Sequence, residues 1–324
     1  MNIFDKRVAF KPFEYPHLVE YKKAIQHSYW LVSEWNFTGD TQDFRVKLNE
    51  QERQAIKRAM LAIAQIEVSV KKFWAKLGDK LPKSEIDQVG IVFGESEVRH
   101  SDAYSHLLEV LGLNNEFDQL LENPVIQGRV DYLTKYLKNA SDNSNENYML
   151  TLTLFSLFIE NVSLFSQFLI IKAFNKHKNT LKDIDNVIQA TMREETLHAM
   201  FGAEIISIIQ QENPAWFNDD FYGKLNRACD KAFLAECAII DWIFQEGELT
   251  FLPKEVVVEF IKDRFNQSLV MIGAQSKYEI NQELLNQTLW FDEELHADIS
   301  IDFFHKKSTA YSKNTKPVTS GDLF

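Results

Sequence analysis

The chain is 324 residues long, 45% hydrophobic, with a formal net charge of −12 at pH 7 and only 11 glycines, 7 prolines and 2 cysteines. The acidic balance leaves no basic stripe for a nucleic acid, and Cys229 and Cys237 are too few for a disulfide framework or a thiolate metal cage. So few chain breakers favour long helices over a many-stranded sheet.

Residues 1–20 lack a basic-then-apolar leader, so a cytoplasmic protein is expected. Residues 1–28 are mixed, and Pro12 and Pro16 work against an early helix. An aromatic cluster containing Trp30 and Trp35 follows, then a turn-rich stretch at 36–43. From Leu48 the pattern is helical: Met60, Ile63, Glu67, Val70 and Trp74 share one face, which puts Glu67 on the apolar side.

Residues 78–83 interrupt the chain, and the next helix is predicted to run to about Leu111. It carries Glu97, His100 and Tyr104 at i, i+3 and i+7, so a carboxylate, an imidazole and a phenol share a face. Helical segments at 117–121 and 125–137 and a polar loop at 139–147 lead into the most apolar run, 149–174. Its length approaches that of a membrane span. Glu160, Asn161, Gln167 and Lys172 within it would be costly in lipid, so the run reads as a buried core helix and no membrane partner is expected.

Lys182 opens another long helix bearing Arg193, Glu194, Glu195 and His198 and ending near Asn213-Pro214. Two more helices are expected at about 217–246 and 254–285. From Lys306 the chain turns polar and breaker-rich and closes on Asp322-Leu323-Phe324, which reads as a disordered tail with an apolar end. The expected organisation is one all-α domain over 1–305 with a flexible tail over 306–324.

A chain with this many Glu and His holds about 0.7 Glu-x-x-His pairs by chance, and here there are three: Glu97/His100, Glu195/His198 and Glu293/His296. The third lies in an acidic run and reads as a solvated face. The other two alternate with lone carboxylates, in the order Glu67, Glu97/His100, Glu160, Glu195/His198. Four carboxylates and two imidazoles on four helices are the donor set of a dinuclear metal site in a ferritin-like bundle. Such oxygen-rich ligation suits iron or manganese.

Glu97-x-x-His100-x-x-x-Tyr104, followed by Arg193-Glu194-Glu195-x-x-His198, resembles the radical-generating small subunit of class I ribonucleotide reductase. The resemblance spans most of the chain. It implies a ferritin-like bundle with additional helices and a dinuclear metal cofactor that supplies an oxidising equivalent to a separate large subunit. Glu67, Glu97 and His100 would then bind one metal and Glu160, Glu195 and His198 the other, with some carboxylates bridging. Tyr104 matches the family's radical tyrosine, Trp30 and Tyr311 match its aromatic relay, and Trp30 is expected to lie against Glu194. The family also implies a homodimer, with the large subunit held by the C-terminal tail.

Two positions depart from the family's usual pattern. Glu67 stands where an aspartate is common, as in variants whose metals themselves hold the oxidising equivalent, often with manganese, so manganese is placed slightly ahead of iron. Glu194 likewise replaces an aspartate. A radical on Tyr104 and an unmodified phenol beside the metals both remain open. The rival readings are a free-standing di-metal oxidase or oxygenase on the same bundle, and a ferritin-type storage protein.

Overall fold

The computed structural model describes residues 2–140 and 144–295. The main helices are α1 (Val19–His27), α2 (Glu50–Ala75), α3 (Ser84–Leu111) and α4 (Pro124–Ala140). A longer helix, α5, begins as Asn145–Thr153, widens into a π-helical stretch at Leu154–Ser163 and continues as Leu164–Lys178. It is followed by α6 (Lys182–Glu212), α7 (Asp219–Ile243) and α8 (Lys254–Met271). No strand occurs among the described residues.

The long helices start and stop where local chemistry directs. Asn49 accepts a hydrogen bond from the Glu52 amide at 2.9 Å, and the Glu52 carboxylate accepts one from the Asn49 amide at 3.0 Å, a reciprocal cap for α2. Gly112, at φ 75°, ends α3 in the left-handed conformation that glycine adopts without penalty. The cap of α6 comes from elsewhere in the chain: the Asp183 amide donates to both carboxylate oxygens of Asp40 at 3.2 Å, and the Leu181 amide donates to Asp43 at 3.1 Å.

The core is a four-helix arrangement. Helix α2 packs on α3 and on the Leu164–Lys178 part of α5, while α6 packs on α3 and on both the π-helical and the following parts of α5. Helices α4, α7 and α8 close over the outside, with α8 against the π-helical stretch. Two close approaches depend on missing side chains. A Cβ on Gly94 of α3 would lie 2.9 Å from Ala75 Cβ, and one on Gly202 of α6 would lie 2.1 Å from Ser156 Cβ of the π-helical stretch.

The apolar run expected at 149–174 is a core helix. An 18-residue window within Asn147–Lys178 has a mean hydropathy of 1.7 and is wholly buried inside the protein. Three local features differ from the sequence expectation. Pro16 occupies the first position of a short 3-10 turn, where its missing amide costs nothing, and the turn runs on into α1. The helix expected at 254–285 stops at Met271, because Gly273 turns the chain at φ 76°. The middle of α5 is π-helical, which composition does not signal. The tail, Tyr311 and His296 lie outside the described residues.

Candidate metal centre

Glu67 comes from α2, Glu97 and His100 from α3, Glu160 from the π-helical stretch, and Glu195 and His198 from α6. All six side chains are buried and converge at one place in the core. Their donor atoms fall into two overlapping groups, each within 4.8 Å: Glu67, Glu97, His100 and Glu195, and Glu97, Glu160, Glu195 and His198. Glu97 and Glu195 belong to both groups, the geometry of a dinuclear centre with two shared carboxylates.

The outward nitrogens of the two imidazoles fix their tautomers. His100 Nε2 lies 2.8 Å from Glu194 Oε2, an oxygen that also accepts from Arg99, so the proton is on the histidine. The Ser96 hydroxyl donates to the Phe93 carbonyl at 2.8 Å, so at 3.1 Å it accepts from His198 Nε2. In the neutral rings both Nδ1 atoms are then lone pairs, facing carboxylate oxygens. His100 Nδ1 is 3.0 Å from Glu195 and 3.5 Å from Glu97, and His198 Nδ1 is 3.0 Å from both Glu97 and Glu195.

Lone pairs facing anions repel unless protons or cations stand between them. Both oxygens of Glu67 and of Glu97, one each of Glu160 and Glu195, and Nδ1 of His100 are buried without a hydrogen bond. Two such carboxylates 4 Å apart repel by about 4 kcal/mol even at an effective dielectric near 20. Without cations, burial and then the Glu97 charge push the Glu67 carboxyl well above its ordinary range, and burial followed by Glu195 does the same to Glu160. Burial alone would lower the two histidines, but the surrounding carboxylates hold both well above their usual value. Divalent cations would relieve all of these charges at once, so the residues present fit a metal pair.

Around the cluster, Trp74 Nε1 donates to Glu160 Oε1 at 2.7 Å, while Oε2 of that carboxylate makes no hydrogen bond and lies 3.7 Å from His198 Nδ1. Tyr104 is buried, with the Thr191 hydroxyl beside its phenol but no hydrogen bond of good geometry. Burial, and then the Glu67 charge, push that phenol well above its ordinary value. Trp30 stacks on His100, ring centroids 5.9 Å apart and planes 16° from parallel. Trp30 and Glu194 share Arg99 and His100 as neighbours, while the Trp30 N–H itself is buried and makes no hydrogen bond.

Sequence reasoning missed Arg99, Ser96 and Trp74. Trp74 carried a signal, seven residues after Glu67 on the same helix face. Arg99 and Ser96 are revealed only by partners 95 and 102 residues away.

The sequence pattern described as "Ribonucleotide reductase, small chain" matches residues 7–284. The "probable ribonucleoside-diphosphate reductase small subunit" of Invertebrate iridescent virus 3 is 26% identical over 328 residues, covering 97% of this chain and 86% of the viral protein. The ribonucleoside-diphosphate reductase subunit beta of Treponema pallidum is 20% identical, covering 95% and 89%. Among solved structures, the ribonucleotide reductase R2 subunit from Clostridium botulinum superposes with a TM-score of 0.79 at 16% identity, over 91% of this chain and 94% of that one. An R2-like ligand-binding oxidase with a Mn/Fe cofactor reaches 0.69 at 18% identity, over 80% and 94%. The match over 7–284 takes in all four helices of the metal centre, and by it the chain belongs to the ribonucleotide reductase small-chain family, the oxidoreductase subunit that works beside a large subunit.

Proposed function

We propose that Glu67, Glu97, His100, Glu160, Glu195 and His198 hold two divalent metal ions, with Glu97 and Glu195 shared, and that Trp30 relays electrons between this centre and the large subunit. The observation that carries this reading is the pair of overlapping donor groups, in which imidazole nitrogens and carboxylate oxygens face one another and most of the carboxylate oxygens have no hydrogen bond. When bound, the metal pair supplies the one-electron oxidising power that ribonucleotide reduction requires.

The chain's own residues prepare the site. The Trp74 N–H fixes one oxygen of Glu160, and the Nε2–H groups of the two histidines are anchored on Glu194 and Ser96, which orients both rings. Core packing from α2, α5 and α6 excludes water. Tyr104 stays a phenol in this reading, because the glutamate at position 67 points to metals that hold the oxidising equivalent themselves. Manganese in at least one position is favoured by two features: a glutamate at position 67, and the Mn/Fe cofactor of the similarly folded oxidase. The proposal also takes in one domain to about residue 305, a tail over 306–324 with Tyr311 that docks the large subunit, a homodimer, and a cytoplasmic setting.

Elemental analysis tests the ligand set. The wild-type chain should load two metal ions per chain, and Glu97→Ala and Glu195→Ala should each lose one or both, since each removes a shared anionic ligand. Full occupancy in both variants would remove the assignment. Nucleotide reduction that appears only when the large subunit is added separates this reading from a free-standing oxidase.

A further inference from the structure

Arg99 lies one residue before a proposed ligand, is 5% exposed, and faces the segment that carries Trp30. Its Nη2 donates to Glu194 Oε1 at 2.9 Å and its Nη1 to Glu194 Oε2 at 3.2 Å, a two-pronged grip on one carboxylate. The same Nη1 reaches the Trp30 carbonyl at 3.5 Å. The guanidinium stands 4.6 Å from the Tyr29 ring centroid and 5.5 Å from that of Trp30. Its Nε is held from the other side by Glu95, at 3.1 Å and 3.2 Å.

These contacts take three of the roughly four acceptor positions of Glu194, including both that face Arg99. One oxygen takes Arg99 alone, and the other takes Arg99 and His100 Nε2 at 2.8 Å. The N–H of Trp30, on the segment that Arg99 faces, is buried with no hydrogen bond to Glu194 or any other group. Trp30 meets the centre instead through the face of His100, nearly parallel at 5.9 Å.

We infer that Arg99 is a positioning residue for the relay: it takes the place on Glu194 that the Trp30 N–H would otherwise occupy, so Trp30 couples to His100 by ring stacking. This rests on the proposed relay through Trp30. One electron then leaves the indole ring towards His100 and the ligand cluster, and no bond to hydrogen breaks. The Nε1 proton stays on Trp30 because no base faces it, and the guanidinium, already fully protonated, can accept none. The electron lost by Trp30 is replaced from the large subunit, which the established activity supplies. A Lys at position 99 would keep the charge and lose the planar fork that bridges both Glu194 oxygens and the Trp30 carbonyl.

The test compares wild type, Arg99→Met, Arg99→Lys and Trp30→Phe. The indole N–H of Trp30 is read by nitrogen-15 NMR in the zinc-loaded chain, assigned by its loss in Trp30→Phe, beside metal content and turnover with the large subunit. In wild type the N–H should resonate as a group without a hydrogen bond. In Arg99→Met it should move downfield as Glu194 becomes free to accept it, with metal content unchanged and turnover lowered roughly tenfold or more. Arg99→Lys should fall between the two in both readouts, and it carries the same test if Arg99→Met fails to fold. A wild-type indole signal, or wild-type turnover, in a metal-replete Arg99 variant would overturn the inference. Normal turnover by Trp30→Phe would instead remove the relay, while the indole shift in Arg99→Met would still report the grip on Glu194.

Discussion

Tyr104 illustrates how much a single residue's surroundings add to its identity. Its position seven residues after Glu97 was readable, and so were the six proposed ligands, because a helix forces i, i+3 and i+7 onto one face. Its missing hydrogen bond was not readable, since that depends on side chains from other helices. Tyr104→Phe should therefore keep stability or gain about 1 kcal/mol, the hydroxyl being buried without a partner. Turnover with the large subunit should survive, and paramagnetic resonance of the active wild type should show no tyrosyl radical. A tyrosyl signal that vanishes in the variant would move the oxidising equivalent back onto Tyr104. Arg99 is the opposite case, an arginine that looks like an ordinary surface partner of Glu95 until the fold brings Glu194 to it.

Helix existence followed from periodicity, and helix ends followed wherever a breaker or cap lay close in sequence, as at Gly112 and Asn49. The beginning of α6 shows why other ends do not. Leu181 offers no cap of its own, and Asp40 supplies the oxygen from 143 residues away. Burial first, and the Asp183 charge next, raise the Asp40 carboxyl to about 6. A carboxyl raised in the folded state contributes most when protonated, so its contribution is fullest below its unfolded value near 4 and is lost as pH climbs through about 6. Asparagine keeps an accepting oxygen and does not titrate. Asp40→Asn should thus gain stability relative to wild type between pH 4.5 and 7.5, by on the order of 2 kcal/mol. Urea unfolding of the metal-free proteins at the two pH values measures this, and a difference that stays flat with pH would refute it.

At the scale of the molecule, the bundle was legible because four carboxylates and two histidines on apolar faces make sense only when their helices meet. The packing of α4, α7 and α8 around that bundle was not legible, since amphipathic helices of similar length fit several arrangements. The proposed division of labour with the large subunit places its weight on the tail. Residues 312–324 are polar up to Leu323-Phe324 and are expected, under the proposed function, to order on that partner. Deleting 312–324 should leave helicity and metal content unchanged and severely weaken binding to the large subunit in a pull-down or titration. A peptide of the same residues should compete with the intact chain. Full activity of the truncated chain at ordinary subunit concentrations would take docking away from the tail.

The helix that carries Glu160, π-wound over Leu154–Ser163, makes residue count itself a constraint. Deleting one residue in the α-helical turns at Asn145–Thr153 would turn everything upstream of the gap by about 100° relative to Glu160. Along this helix one apolar side chain can replace another of similar volume, while a one-residue gap cannot be absorbed. Glu160 apart, the buried apolar positions of this helix can change identity more easily than number.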